Sequence, residues 1–340
     1  MSVRRTDEAS PDDAVDETER VEAADPDALG AAPTRTADTR RRDKRAARRD
    51  AASAASDAPV ATAGRDGVTH VFEPHSAGLP PLRPYLQSLW GRRRFITALA
   101  RSEIRGRHSS TSLGSLWNLL DPIFQAAIYL FLFVIIRGGK GRPEAFVPVL
   151  IAGIFLFRLT TSAINEGGKS IRSGRDLMLS SAFPRAILPL AAIFKGLLNF
   201  VPTVFVFIPV YIIFGVPPHK ALLLLPVLFA IQVVMNVGAA LLVSTIAVFV
   251  KDTENAITYL TRILFFVTPV IYPVTLLPQE IKAFLQFFPL FPLFATYQAV
   301  IGGKHIDGVL IVEAGIWAVV LLVLGGWLFL RYEQAMASRL

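Results

Sequence analysis

The sequence predicts an all-α membrane protein with six transmembrane helices, an N-terminal amphipathic interface helix and a re-entrant segment between spans five and six. Its 340 residues are 52% hydrophobic and 18% charged, with a mean hydropathy of +0.46, whereas soluble domains carry about 25% charged residues. Charge-free stretches of 23 and 30 residues follow Lys195 and Lys220. Because about 20 apolar residues suffice for a helix to cross a bilayer, these stretches exclude a soluble domain. Their lack of alternation excludes a membrane β-barrel.

Residues 1–81 predict a disordered cytoplasmic tail. They contain 16 acidic and 12 basic residues and few large apolar ones, so no core offsets the entropy of ordering them. The basic block at 35–49 is of a kind that binds nucleic acid or an anionic membrane. No aromatic residue interleaves with its arginines as a nucleic-acid platform requires. We therefore expect a solvated tail and no nucleic-acid partner.

Residues 82–110 predict an amphipathic helix that lies in the membrane interface. Apolar residues recur at helical spacing between Leu86 and Ile104, and arginines line another face. Such a helix buries its apolar face among the lipids and places its basic groups at the phosphates. The alternative is an ordinary helix packed on a soluble partner. The residues expected to contact lipid headgroups are Trp90, Arg92, Arg93, Arg94, Arg101 and Arg105.

Residues 111–340 predict the transmembrane domain. Hydropathy places its six spans near 116–136, 147–168, 186–214, 221–250, 256–273 and 308–330. The segment 274–303 includes 21 uncharged residues between Lys282 and Lys304, but Pro289 and Pro292 lie in its middle. Proline removes a backbone donor that lipid cannot replace. We therefore predict two short helices that dip into the membrane from one side.

The distribution of basic residues predicts the orientation. With six spans both termini lie on the same side, and that side receives 14 basic residues against six on the other, the tail left aside. Basic residues concentrate on the cytoplasmic side of membrane proteins. Both termini are therefore predicted to be cytoplasmic, in a multi-pass membrane protein.

The sequence offers little sign of catalysis. It has no cysteine and five scattered histidines, so we expect no metal site. Residues 163–170 resemble a phosphate-binding loop, but a membrane helix precedes them where such a loop needs a strand. No serine, histidine and acid group together as in a hydrolase. We expect a protein that is not an enzyme and binds no cofactor.

Charges and aromatic residues inside spans are the functional candidates. An ionisable residue in a membrane is costly and usually functional, although Asp121 is also expected to cap a helix that Pro122 opens. Aromatic side chains such as Phe124, Tyr129 and Phe155 could line a pathway for sugar rings. The charged candidates are Asp121, Arg158, Glu166, Lys195, Arg262 and Glu313.

Four groups of motifs carry a family resemblance. They are Arg105–His108, Ser112–Trp117 with Asp121-Pro122, Phe183–Arg185 with Ile187–Leu190, and Thr268–Pro273 with Leu277-Pro278. Their order and spacing across 85–335 resemble the type-2 ABC exporter permeases, which export lipid-linked polysaccharides such as O-antigen, teichoic acid and galactan. This chain differs from the family pattern in three places. It has Lys251-Asp252 where the family has Arg-Asp, and Phe157-Arg158 where the family often has a tryptophan in the second span. It has Phe288-Pro289 where the family has Asn-Pro in the gate segment.

The resemblance implies a homodimeric permease paired with a separate cytoplasmic ATPase that binds ATP and Mg. It implies that Lys169–Arg185 includes a coupling helix against the ATPase and that 274–303 is a gate on the periplasmic side. The implied coupling residues are Arg175, Asp176, Leu177, Met178, Phe183, Pro184 and Arg185. Together with the aromatic candidates of the spans, the predicted channel and gate residues are Phe124, Tyr129, Phe155, Tyr272, Pro273, Pro278, Phe288 and Pro289.

For the substrate, the resemblance implies a lipid-linked polysaccharide. The Ala/Arg/Asp-rich tail is typical of a high-GC bacterium, so within the family we favour a polyprenyl-diphosphate-linked galactan of an actinobacterial envelope, or a similar cell-envelope glycan. Two other classes stay open at this point. One is a permease of the same fold for a drug or small lipid, because hydropathy does not encode cargo size. The other is an ion-coupled carrier that uses Asp121, Arg158 and Glu166, which would show inverted repeats and broken helices.

Overall fold

The computed structural model describes residues 62–63, 69–70, 81–108, 113–132, 145–180, 183–214 and 216–339. The chain divides into two units, Met1–Ser76 and Ala77–Leu340. In the first unit the described residues form two short strands, β1 (Thr62–Ala63) and β2 (Thr69–His70), which pair antiparallel. The rest of the predicted tail, apart from Pro81, lies outside the described residues.

The described part of the second unit is helical. A 3-10 turn at Gly114–Leu116 precedes α3, another at Lys220–Leu224 runs into α7, and a third lies at Val274–Leu276. The helices are α1 (Leu82–Gly91), α2 (Arg93–His108), α3 (Trp117–Leu130), α4 (Phe146–Ser173), α5 (Arg175–Ser180), α6 (Ile187–Ile213), α7 (Leu225–Phe249), α8 (Thr253–Val267), α9 (Gln279–Leu285), α10 (Leu290–Ile301) and α11 (Gly308–Arg339).

Four of these helices are long and apolar enough to cross a membrane. They are α4, α6, α7 with its 3-10 turn, and α11. The other two predicted spans coincide with α3 and α8, which have 14 and 15 described helical residues. At 1.5 Å per residue these helices are about 22 Å long, shorter than the ~30 Å hydrocarbon core. The described residues thus support a multi-span helical protein with four full-length candidate spans.

Two sequence expectations are corrected by the helix boundaries. The single helix expected over 82–110 is divided into α1 and α2, and Arg92 caps the end of α1 outside helical geometry. Gly91 explains this break, because glycine is a poor helix former. The second correction concerns Asp121, which was expected to cap a helix. Since α3 already begins at Trp117, Asp121 and Pro122 lie inside it.

Prolines determine where the helices of the segment after α8 begin and end. Thr268 ends α8 in an extended conformation, as expected for a residue that precedes a proline. Pro278 and Pro289 stand at the N-caps of α9 and α10, where the missing N–H of proline costs no helical hydrogen bond. Two helices therefore occupy the segment 274–303.

The helix directions define two ends of the bundle. The α5 end holds the C-termini of α4, α7 and α11 and the N-termini of α6 and α8, and the α9 end holds their other termini. Buried apolar side chains of α4, α7 and α10 form the larger core, which includes Ile151, Phe155, Leu293 and Phe294. A smaller core at the α5 end includes Ile171, Leu188, Phe329 and Met336.

Candidate functional site

The loop between α4 and α6 forms a compact surface at the α5 end. Its helix α5 presents the exposed side chains of Arg175 and Asp176. Leu177 and Met178 are half-buried and pack against the smaller core of the chain itself. The charged pair is therefore the outward-facing part of this helix, which the sequence pattern did not distinguish from its apolar neighbours.

The remaining predicted coupling residues attach this loop to other helices. Phe183 packs edge-on against Phe95 of α2, with ring centroids 5.8 Å apart. The backbone N–H of Arg185 donates to Oε1 of Glu333 at 2.7 Å, and its guanidinium donates to the Glu333 carbonyl. Phe183, Pro184 and Arg185 are all half-buried. The loop is thus braced between α2 and the end of α11.

Helices α1 and α2 present one face to the bundle and another outward. Tyr85, Leu89 and Leu99 are half-buried against the smaller core. Burial and the nearby Glu333 carboxylate raise the pKa of the Tyr85 hydroxyl. On the outward face Trp90 is 71% exposed, and the guanidinium of Arg93 lies 5.3 Å from its ring centroid. The predicted headgroup residues Trp90, Arg92, Arg93, Arg94, Arg101 and Arg105 are all exposed.

A buried lysine joins α2 to two helices of the bundle. The Nζ of Lys195 in α6 lies 2.8 Å from Oε2 of Glu103 in α2 and 2.6 Å from Oε2 of Glu166 in α4. Lys195 is 8% exposed, whereas the side chains of Glu103 and Glu166 are 42% and 28% exposed. The sequence identified Lys195 and Glu166 as costly charges but did not identify their pairing or the part of Glu103.

A second ion pair lies at mid-depth between α3, α4 and α6. The guanidinium of Arg158 pairs with Asp121 and also donates to Gln125 Oε1 at 2.9 Å. Both charged side chains line a cavity of about 300 Å³, called here the polar cavity. Its other lining residues are Trp117, Asn118, Pro122, Phe155, Leu159, Ser162, Gly196, Asn199, Phe200 and Thr203.

An ion-coupled carrier was expected to use Asp121, Arg158 and Glu166, but these three residues do not form one cluster. Asp121 pairs with Arg158, whereas Glu166 pairs with Lys195. Residues 163–170, which resemble a phosphate-binding loop, continue helix α4 without interruption. The hydroxyl of Ser170 in this stretch donates to the carbonyl of Gly167, 2.6 Å away.

An open groove of about 480 Å³ runs between α4 and α8. Phe157 and Phe265 meet edge-on across it, with ring centroids 5.3 Å apart. The groove combines aromatic rings with neutral polar groups and a single cation. It is lined by Phe157, Thr161, Asn165, Thr261, Arg262, Phe265 and Phe266.

Arg172 connects the end of α4 to the start of α8. Its guanidinium lies 3.2 Å from Oε1 of Glu254 in the first turn of α8 and 3.4 Å from the carbonyl oxygen of Val250, which follows α7. Arg172 stands one turn before α5, so these contacts join the end of α4 next to the loop to the first turn of α8. Further along, α8 contributes Thr261 and Phe265 to the groove.

At the α9 end, Gln298 holds the segment after α8. Its Nε2 donates to the carbonyl oxygens of Pro269 and Tyr272 at 2.5 and 2.8 Å, and its Oε1 accepts from the backbone N–H of Val274 at 3.0 Å. The hydroxyl of Tyr272 donates to the Phe266 and Val267 carbonyls, each 3.0 Å away. No sequence motif had identified Gln298.

The predicted channel and gate residues are spread over the described bundle. Phe124 is exposed on α3, and Tyr129 packs on the larger core. Phe155 is 2% exposed and reaches the polar cavity. The remaining five lie near the α9 end: Tyr272 and Pro273 line a cavity there, Pro278 stands at the N-cap of α9, and Phe288 and Pro289 precede α10.

These features define a multi-pass helical membrane protein with a surface loop at one end, a side groove and a braced segment at the other. The chain belongs to the ABC-2 type transporter family, whose sequence model matches residues 94–302, more than half of the chain.

Several relatives are permeases of polysaccharide exporters. The O-antigen export system permease protein RfbA of Myxococcus xanthus is 25% identical over 217 residues, covering 63% of this chain and 83% of the relative. RfbA of Klebsiella pneumoniae is 22% identical over 204 residues, covering 60% and 78%. The polysialic acid transport protein KpsM of Escherichia coli is 24% identical over 254 residues, covering 72% and 95%.

Proposed function

We propose that this chain is the membrane subunit of an ATP-driven exporter that moves a lipid-linked polysaccharide across the bacterial cytoplasmic membrane. The observation that carries this proposal is its similarity to O-antigen and polysialic acid exporters across the membrane region. The preferred substrate is a cell-envelope glycan on a polyprenyl diphosphate, such as galactan, which the resemblance and the composition of the tail favour.

The groove between α4 and α8 supports a path for sugars. Aromatic rings give sugar faces a surface without strong directional bonds, while Thr161, Asn165 and Thr261 provide neutral hydrogen-bonding groups. Because the groove is open on one side, we propose that a second copy of the chain completes its wall in a homodimer. The α9 end, including Tyr272 and Phe288, would then close the path as a re-entrant gate.

A separate ATPase is proposed to dock on the α5 end and to bind ATP and Mg there. The exposed pair Arg175 and Asp176 on α5 offers charged groups for this contact. Through Arg172 and Glu254, a push on this loop would reach α8 and the groove. On this proposal the α5 end and both termini face the cytoplasm, and α1 with α2 lies among the lipid headgroups.

The proposal is tested by export from reconstituted vesicles. The permease and its ATPase are placed in vesicles with a lipid-linked galactan, and an external galactanase measures how much glycan becomes accessible. We expect ATP-dependent exposure of the glycan and none with the permease or the ATPase alone. Equal exposure without ATP, or none from the full complex with a range of lipid-linked glycans, would contradict the proposal.

A permease for a small lipid is the second candidate, and an apolar cavity of about 690 Å³ favours it. This cavity lies between α4, α6 and α7 and has almost no polar lining, with Phe200, Phe205 and Phe229 among its residues. The same vesicles distinguish the two functions when they contain a fluorescent short-chain phospholipid. ATP-dependent movement of this lipid without movement of glycan would favour the second candidate.

A further inference from the structure

We infer that the polar cavity between α3, α4 and α6 binds a neutral sugar ring of the transported molecule. This inference rests on the proposed export of a glycan and adds a binding site to it. The cavity is separate from the open groove between α4 and α8, since the two have no lining residue in common.

The first argument is the balance of charge. Asp121 and Arg158 are the ionisable residues that line the polar cavity, and they pair with each other. Their charges cancel, so the cavity has no net attraction for a diphosphate or a free cation. A neutral ligand suits this arrangement.

The second argument is unused hydrogen-bonding capacity. A guanidinium has five N–H donors, and the described contacts of Arg158 use one to Gln125 and one to Asp121. The two charged side chains remain 46% and 55% exposed. Planar groups with two adjacent donors or acceptors bind paired partners well, and neighbouring hydroxyls of a sugar form such a pair.

The third argument is the composition of the remaining walls. Asn118, Ser162 and Asn199 contribute neutral polar groups, while Trp117 and Phe200 contribute ring surface. A volume of about 300 Å³ is at the small end of ligand pockets, as a single ring requires. The neighbouring cavity between α4, α6 and α7 is almost entirely apolar, so lipid tails have a better site next to it.

The fourth argument is the cost of the ion pair. Arg158 lies 15 residues before the end of α4, about 22 Å from the α5 end along the helix. Ionisable side chains at such a depth inside a membrane-spanning helix are costly and usually serve function. Joining α3 to α4 does not by itself explain a charged pair at this depth, whereas binding a ligand does.

The test measures the fluorescence of Trp117 in the full-length chain in lipid nanodiscs. Phenylalanine replaces the other three tryptophans, Trp90, Trp317 and Trp327. The probes are the methyl glycosides of galactose, glucose, mannose and rhamnose, with sodium diphosphate for comparison. We expect a saturable change with at least one glycoside and none with diphosphate.

Gly196→Leu is the variant expected to lose binding, and Gly326→Leu is its control. A Cβ at Gly196 meets Ser162 and Leu159 at ordinary distances of 3.7 and 3.8 Å, so the longer side chain extends into the cavity without displacing backbone. We expect it to weaken binding about tenfold, while Gly326→Leu, at a position with open space on α11, leaves binding unchanged. Asn199→Ala provides a second, smaller perturbation, and gel filtration shows whether each variant is folded.

Saturation by diphosphate, an absence of any glycoside response, or unchanged binding in folded Gly196→Leu and Asn199→Ala would each overturn the inference. The result is separable from the proposed function. If the chain exports glycan in vesicles but no glycoside changes its fluorescence, the proposed function stands and the proposed site is wrong. If a glycoside binds, Gly196→Leu weakens that binding and the chain exports no glycan, the proposed site stands and the proposed function is wrong.

Discussion

Gly238 of α7 and Gly325 of α11 lie where the two helices approach too closely for a side chain. A Cβ at Gly238 would overlap the backbone of Leu321 and Leu322, and one at Gly325 would overlap the carbonyl of Gly238. Backbone atoms cannot rotate away as a flexible side chain can. Small residues at such crossings permit the close packing on which membrane helices depend.

Gly238→Ala should therefore destabilise the chain by about 1–3 kcal/mol, the usual cost of overpacking. The measurement is the free energy of unfolding of the detergent-solubilised protein. Gly326→Ala is the control, because nothing lies within 4 Å of its Cβ and alanine is the better helix former. Equal stability of the two variants would show that α7 and α11 do not cross at Gly238.

Single residues show what a sequence leaves undetermined. Asp121, Arg158, Glu166 and Lys195 were recognisable as costly charges, because each interrupts an apolar stretch. Their partners were not recognisable, since pairs such as Lys195 and Glu103 are 92 positions apart and nothing local records the contact. Gln298 was missed because a glutamine near a helix end has no distinctive pattern.

At the scale of helices, Lys195 determines how α2 is attached. It is the cation between Glu103 and Glu166, so its removal leaves two carboxylates facing each other. Lys195→Met should cost about 2 kcal/mol, below the 3–5 kcal/mol for a fully buried pair, because Glu103 is partly exposed. We expect α2 to separate from α6.

The chain has no cysteine, so Ser102→Cys on α2 supplies a single labelling site. In the Lys195→Met background we expect a spin label at this position to gain mobility. Lys251→Met removes an exposed cation and serves as the control, with unchanged mobility. An immobile label in both variants would mean that α2 is held by its apolar contacts alone.

Helix α5 leads to a prediction about the ATPase. Its exposed residues Arg175 and Asp176 are the proposed contact, whereas Leu177 and Met178 partly support the core. Aspartate at the two apolar positions would disturb folding and docking together. Arg175→Glu combined with Asp176→Arg reverses both charges and should release the ATPase, measured by its loss in co-purification from detergent.

The matched control reverses another exposed pair at the same end, Lys251→Glu with Asp252→Arg in the turn between α7 and α8. We expect this variant to retain the ATPase. Release by the control and retention by the α5 variant would place the docking surface at the turn between α7 and α8.

The positions of helices were more predictable than their ends. Hydropathy located a helix at each predicted span because burial in lipid or protein requires apolar length. It placed the first span near residue 116, close to the start of α3 at Trp117, so the error there was the expected cap at Asp121. It did not foresee the break at Arg92, since helix ends depend on local backbone preference and on contacts between helices. It also did not separate the outward and inward sides of α5.

At the scale of the whole molecule, the two short helices α3 and α8 decide the number of crossings. Four of the described helices are long enough to span, and residues 133–144 after α3 lie outside the described residues. Within the described bundle, α8 runs from Arg172 at the α5 end toward Gln298 at the α9 end. The six-span prediction therefore requires that both short helices connect opposite sides of the membrane.

Single cysteines in the cysteine-free chain test this requirement. Ser102→Cys on α2 and Ser180→Cys on α5 mark the α5 end, and Lys304→Cys marks the α9 end; all three positions are exposed. With six spans and cytoplasmic termini, a membrane-impermeant maleimide should label Lys304→Cys in intact spheroplasts. It should label the other two only after permeabilisation, because the basic residues hold that end in the cytoplasm. External labelling of Ser102→Cys but not Ser180→Cys would show that α3 does not cross, and external labelling of Ser180→Cys would reverse the orientation.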